Sequence, residues 1–241
     1  MVRSLLFITA CLLAAACGND APAPAAESAP PAAAPAAAAP ERARPRIVFL
    51  GDSLTAGLGL DQAQSFPALI GRRLASEGYD YEIVNAGVSG DTSAGGLRRL
   101  EWSLDGDVKV LVVALGANDG LRGLPPAELK KNLAAVLEQA SAKGVTTVLA
   151  GMEAPPNFGA DYTRQFRNVY TELAQQYDVR FIPFLLQGVA GVASLNQGDG
   201  IHPNARGAQV VADLVWAELQ PALGRPSEVG KPQAPKPLSP S

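Results

Sequence analysis

The sequence predicts an α/β fold, a three-layer sandwich with helices on both faces of a central parallel sheet. Three observations point to it. Short apolar runs alternate along the chain with longer amphipathic segments of helical spacing. The strongest run, "VKVLVVAL" at Val108–Leu115, has the apolar character of a strand buried on both faces. Polar, glycine-containing motifs stand directly behind the first three runs, where open parallel sheets bind their ligands.

The elements follow in order. Ile47–Leu50 is a short apolar strand. Phe66–Glu77 has helical spacing, with Leu69, Ile70, Leu74 and Ala75 on one side. Glu82–Asn85 is strand-like, and Thr92–Trp102 reads as one helix. After the Val108–Leu115 strand comes a long amphipathic helix, Pro126–Ala142, in which Leu129, Leu133, Val136, Leu137 and Ala140 share a face. Thr146–Ala150 is a strand, Tyr162–Tyr177 a helix and Val179–Phe181 a short strand. A closing helix is expected over Pro203–Leu219, with proline in its first turn, where a missing N–H is tolerated.

Composition narrows the chemistry. The chain has 241 residues and a net charge of -3, with 20 basic and 23 acidic side chains interspersed. That length supports one sizeable core, and without a basic stripe nucleic acid is not an expected partner. The two cysteines, Cys11 and Cys17, both lie near the N-terminus, and His202 is the single histidine. A multi-histidine metal centre is therefore excluded, and no metal or cofactor is expected.

The polar motifs are "GDS" at Gly51–Ser53, "GVSGDTS" at Gly87–Ser93, "GAND" at Gly116–Asp119 and "DGIHP" at Asp199–Pro203. Four such loops should converge on one sheet edge. Ser53 is a candidate nucleophile, although serines are common in turns. A hydroxyl needs a base within hydrogen-bond reach, and His202 is the imidazole available. Asp199, three residues earlier, can share a side with it and fix its tautomer. A turn or an N-terminal helix cap is the competing role for Asp199. Oxyanion donors could come from the Ser53 N–H, the backbone at Gly90 and the Asn118 amide. Taken singly, Gly90 fits a tight turn and Asn118 an Asx turn equally well. Asp52 is expected to stabilise its loop through local hydrogen bonds. A Gly-x-Ser-x-Gly elbow is missing around Ser53, which argues against an α/β-hydrolase.

Taken together, "GDSL", "SGDTS", "GAND" and "DGIHP" resemble the SGNH hydrolases, or GDSL esterases, in motif and order over about residues 46–222. "NAGVSGDTSAGGLRRL" and "GANDGLRG" are similar to the branch of thioesterase I, lysophospholipase L1 and arylesterase. The resemblance implies a flavodoxin-like sandwich and acyl transfer through serine, without a cofactor. Ser53 would be the nucleophile, His202 the base and Asp199 its orienter. Ser53, Gly90 and Asn118 would form the oxyanion hole. It also implies that the loops behind the third and fourth strands lie beside the substrate, with Leu121, Leu124, Pro155 and Phe158 as apolar contacts. The expected substrate is a small-molecule or lipid ester. A carbohydrate O-deacetylase with the same triad and a non-catalytic binding lipoprotein are the alternatives. No obligate protein partner is inferred.

The ends differ in composition. Residues 1–17 have Arg3, an apolar run and small residues before Cys17, the shape of an export signal. They resemble a bacterial lipoprotein signal, which would lipidate Cys17. Ala14 departs from that pattern, where leucine is more usual, and a plain secretory signal is the alternative. Gly18 after the cysteine resembles sorting to the outer membrane, facing the periplasm; a soluble periplasmic or secreted protein is the other outcome. Residues 18–45, rich in Ala and Pro, are expected to form a disordered linker, and residues 223–241 a Pro-rich disordered tail.

Overall fold

A computed structural model describes residues 44–224. The expected signal segment with Cys17, nearly all of the linker and most of the tail lie outside the described residues. Five strands form one parallel sheet: β1 (Arg46–Gly51), β2 (Glu82–Gly87), β3 (Val108–Ala114), β4 (Thr146–Ala150) and β5 (Arg180–Ile182), in the order β2-β1-β3-β4-β5. The helices are α1 (Ser53–Ala56), α2 (Phe66–Ser76), α3 (Ser93–Arg98), α4 (Leu100–Ser103), α5 (Ala117–Leu121), α6 (Pro126–Ala142), α7 (Ala160–Tyr177) and α8 (Ala205–Leu219). They form two groups across the sheet, α2 packed on α8 and α6 packed on α7 and α3.

Helices on both faces explain the apolar runs. Ile47, Val48, Phe49 and Leu50 have no exposed surface, and Val110–Val113 are equally buried. Each side chain of this size contributes about 1.5–3 kcal/mol on full burial. The helices contribute the complementary stripes: Leu129, Leu133, Val136 and Ala140 of α6, and Phe166, Leu173 and Tyr170 of α7. Because β1 lies between β2 and β3, the chain reverses direction across it. That switch point opens a crevice at the carboxyl ends of β1 and β3.

Two local expectations need correction. The single helix over Thr92–Trp102 is two, α3 and α4, broken at Arg99. Gly95 and Gly96 weaken the helix there, and the Arg99 side chain is drawn to acceptors at the sheet edge. The closing helix starts at Ala205, not Pro203. The Asn204 side chain caps it by accepting from the N–H groups of Arg206 and Gly207, while Pro203 pairs with Asn196 in an antiparallel bridge. The short helices α1 and α5 carry no periodic signal at four and five residues.

Gly116, where β3 turns into α5, has a φ of +115°. A β-carbon there would strike the Tyr170 hydroxyl, which donates to the Leu115 carbonyl at 3.0 Å. Gly116→Ala adds backbone strain to a steric clash. It is expected to destabilise the fold by roughly 3 kcal/mol, measured by urea unfolding.

Candidate active site

The site is built at the carboxyl end of β1. Gly51 ends the strand where a β-carbon would collide with the Thr55 side chain, so the chain can turn there only through glycine. Asp52 caps α1: its Oδ1 accepts from the Leu54 N–H at 3.0 Å. Ser53, the first residue of α1, then faces the segment ahead of α8. His202 Nε2 lies 2.9 Å from Ser53 Oγ, and His202 Nδ1 lies 2.6 Å from Asp199 Oδ2. The other oxygen of Asp199 accepts from the Ile201 and His202 N–H groups at 2.9 and 3.0 Å. The Asp199 turn and its contact with the imidazole thus coexist, one on each oxygen. Asn204, not Asp199, caps the helix. These bonds, led by the His202 N–H, hold the Asp199 carboxyl well below the usual carboxylate range.

The other two loops close around the same point. Gly90 has a φ of +83°, and its carbonyl accepts from Arg122 at 2.8 Å. The Asn118 side-chain amide donates to the Asp91 carbonyl at 2.9 Å, leaving its second N–H for another acceptor. Beneath them, buried Asp119 takes the Ser93 N–H at 2.8 Å and the Ser93 hydroxyl at 2.6 Å. Asn132 of α6 donates to that same hydroxyl at 3.0 Å. The "GDTS" and "GAND" loops are therefore joined twice.

A groove of about 470 Å3 leads away from Ser53, Asn118 and His202. Of the expected contacts, Leu121 and Pro155 line it. Leu124 and Phe158 lie outside its lining. The Tyr162 hydroxyl donates to the Leu124 carbonyl, and the Phe158 ring packs against Tyr162 at 5.2 Å between centroids. Met152, in the loop behind β4 that was expected beside the substrate, also lines the groove, as do Phe184, Leu186 and Ile201, which were not anticipated. Phe184 and Leu186 follow β5, so the carboxyl-end rule applied to that last short strand would have indicated them.

Arg99 is the other residue that sequence reading missed. Its Nε donates to Asp91 at 2.7 Å, and its terminal nitrogens donate to the carbonyls of Ala86 at 2.6 Å and Gly51 at 2.7 Å. One guanidinium thus ties the ends of β1 and β2 to the loop carrying Gly90. Its signal was the place where a continuous helix should have been. A lysine cannot hold three acceptors in a planar fork. Arg99→Lys is expected to lose about 1–3 kcal/mol of stability in urea unfolding, and to lower kcat more than it alters KM.

Asp52 is only 1 % exposed, and its Oδ2 has no hydrogen-bond partner among the described residues. Burial pushes its carboxyl from 3.8 up to about 6, against the opposing Leu54 N–H and the nearby His202. A raised folded-state value makes the proton bind the native state more tightly. The stabilisation from protonation is complete below about 4 and is lost as pH rises through about 6. It amounts to about 3 kcal/mol. Asp52→Asn removes that dependence. Relative to the parent, the variant should gain stability between pH 4 and 7, as read from urea midpoints.

The fold and this arrangement define a hydrolase of the serine type, with its groups on the carboxyl edge of a parallel sheet. The chain belongs to the GDSL-like Lipase/Acylhydrolase family, whose profile matches residues 49–210. It is 47% identical over 178 residues to Esterase TesA of Pseudomonas aeruginosa, covering 73% of this chain and 89% of that one. It is 35% identical to the Thioesterase 1/protease 1/lysophospholipase L1 of Escherichia coli, covering 75% and 86%. Among solved structures, the psychrotrophic esterase EstA from Pseudoalteromonas, inhibited by monoethylphosphonate, superimposes with a TM-score of 0.70 at 32% identity. That match covers 73% of this chain and 97% of EstA.

Proposed function

We propose that this protein is a serine esterase that hydrolyses aryl and acyl carboxylic esters, including lysophospholipids, with acyl thioesters as further substrates. The observation that carries this reading is the hydrogen-bond chain from Asp199 through His202 to Ser53, at 2.6 and 2.9 Å, at the head of the groove. Its relatives named esterase and thioesterase support the same class.

In the proposed cycle His202 takes the Ser53 proton as Oγ attacks the ester carbonyl. Asp199 keeps the Nδ1 proton in place and stabilises the imidazolium. The oxyanion is received by the Ser53 and Gly90 N–H groups and the free N–H of Asn118, each such donor contributing about 3 kcal/mol in the transition state. The imidazolium protonates the leaving alcohol. Water, deprotonated by the same imidazole, then attacks the acyl-enzyme and releases the acid. Leu121, Met152, Phe184 and Ile201 in the groove wall favour an acyl chain over a polar sugar. Cys17, lipidated as its signal suggests, would hold the enzyme at the outer membrane facing the periplasm, where lipid esters are at hand.

The test is turnover of p-nitrophenyl esters from acetate to palmitate by the parent and Ser53→Ala. The variant is expected to lose more than about 10^4-fold in kcat. The parent's kcat/KM is expected to fall in acid as the imidazole is protonated, with medium or long chains preferred over acetate. Undiminished turnover by Ser53→Ala would overturn the assignment, and a sharp preference for acetyl sugars would favour the deacetylase.

A further inference from the structure

The two loops that carry Gly90 and Asn118 are not held alike. Asn118 stands in α5, where the neighbouring Asp119 is buried and bonded twice to Ser93. The loop behind β2 is a tight turn. Its base is fixed, since the Val88 N–H donates to the Gly51 carbonyl and the Asp91 N–H to the Val88 carbonyl, both at 3.0 Å. Its tip is not. Val88, Ser89 and Gly90 are exposed, and Gly90 has a φ of +83° and no side chain to anchor it. Among the described residues, Ser89 and Gly90 together make one hydrogen bond. It is the 2.8 Å bond from a terminal nitrogen of Arg122 to the Gly90 carbonyl. The Gly90 N–H has no partner among the described residues, which suits a donor meant for a charge that develops only during reaction.

Arg122 is bonded to the other loop as well. It ends α5, and its backbone N–H donates to the Asn118 carbonyl at 3.2 Å. The Asn118 side-chain amide in turn donates to the Asp91 carbonyl at 2.9 Å. Asn118, Arg122, Gly90 and Asp91 thus close a ring, with one proposed oxyanion donor on each side of it. Asp91 is fixed further by Arg99. Opening the ring at Arg122 leaves Asp91 in place but takes from Ser89 and Gly90 the one hydrogen bond they have.

The base of the Arg122 side chain is stiff. The Gly123 N–H donates to the Gly120 carbonyl at 3.1 Å, and the Leu124 N–H to the Asp119 carbonyl at 3.0 Å. A β-carbon at Gly123 would strike the Phe158 ring. Tyr162, packed on that ring, donates its hydroxyl to the Leu124 carbonyl at 2.8 Å. Leu124 and Phe158, which lie outside the groove lining, therefore fix the turn from which Arg122 reaches out. Arg122 does not line the groove, and it forms no ion pair among the described residues. An exposed bond of this kind adds little to the stability of a fold. What it fixes is the place of one N–H group relative to another.

We infer that Arg122 is a positioning residue for the proposed reaction: its backbone on α5 and its guanidinium on the Gly90 carbonyl set the spacing between the Gly90 N–H and the Asn118 amide. The inference rests on the esterase reading and on the oxyanion roles given there to Gly90 and Asn118. Preorganised donors are effective because they do not have to move as charge develops. A misplacement of about 1 Å can cost about 100-fold in rate. The spacing matters in the transition state and not in the bound substrate, so its loss falls on kcat.

The test compares the parent with Arg122→Met, Arg122→Lys and Asn118→Ala on p-nitrophenyl acetate, butyrate and octanoate, with a urea midpoint for each protein. Arg122→Met keeps an apolar stem and removes every donor. It is expected to lose about 10- to 100-fold in kcat, with KM within about threefold of the parent's. The loss should be the same for all the acyl chains, because the oxyanion is common to them and Arg122 lies outside the groove. Arg122→Lys keeps a donor at the end of its side chain and should recover part of the loss. The urea midpoints of both Arg122 variants should stay at the parent's, since the side chain is exposed. A kcat for Arg122→Met within about twofold of the parent's, a loss confined to KM, a loss that changes with chain length, or one that comes only with a lowered urea midpoint would each overturn the positioning role. Full turnover by Asn118→Ala would instead strike the oxyanion reading beneath it, and a parent without turnover would strike the esterase reading.

Discussion

Strand β1 is enclosed on all four sides, by helices on its two faces and by β2 and β3 along its two edges. No polar side chain can leave it except at an end. The chemistry of the chain is therefore pressed to the place where β1 stops. Gly51, Asp52 and Ser53 stand there because the strand needs a residue without a β-carbon to turn, a cap for the helix that follows, and then an outward-facing hydroxyl. The parallel arrangement repeats the condition for β2 and β3, which deliver Gly90 and Asn118 to the same edge.

Convergence of the loops does not make them rigid. That is done by a layer of charged and polar groups just below the groove. Arg99 holds the carbonyl ends of two strands and the Asp91 carboxylate. Asp119 holds Ser93, and Asn118 holds the Asp91 carbonyl. Buried polar groups cost stability unless they are paired. Here nearly every one spends its bonds on tying a loop to its neighbour. Asp52 is one exception: its Oδ2, like the Thr55 hydroxyl and Asn196 Oδ1, has no partner among the described residues. Its raised affinity for a proton follows from that burial.

Much was legible in the sequence because the relevant signals were local. The run at Val108–Leu115, apolar but for the exposed Lys109, read as a doubly buried strand, and the spacing of Leu129, Leu133, Val136 and Ala140 read as one face of a helix. Asp199 and His202 lie three residues apart, so their pairing needed only a turn. The break at Arg99 was hidden because its cause lies in the carbonyls of Gly51 and Ala86, remote in the chain. The start of α8 was misplaced because proline suits a first turn and also suits the bridge that Pro203 makes to Asn196.

The residue pattern alone settled the alternation of strand and helix, the layering and the four polar motifs, because periodicity and turn chemistry act over a few residues. The strand order, the 2.9 Å approach of His202 to a serine 149 residues away, and the choice of Leu121 and Pro155 over Leu124 and Phe158 as groove lining were decided in three dimensions. Distances between loops depend on how the packed helices set the sheet's twist and spacing, and no stretch of sequence contains that information by itself.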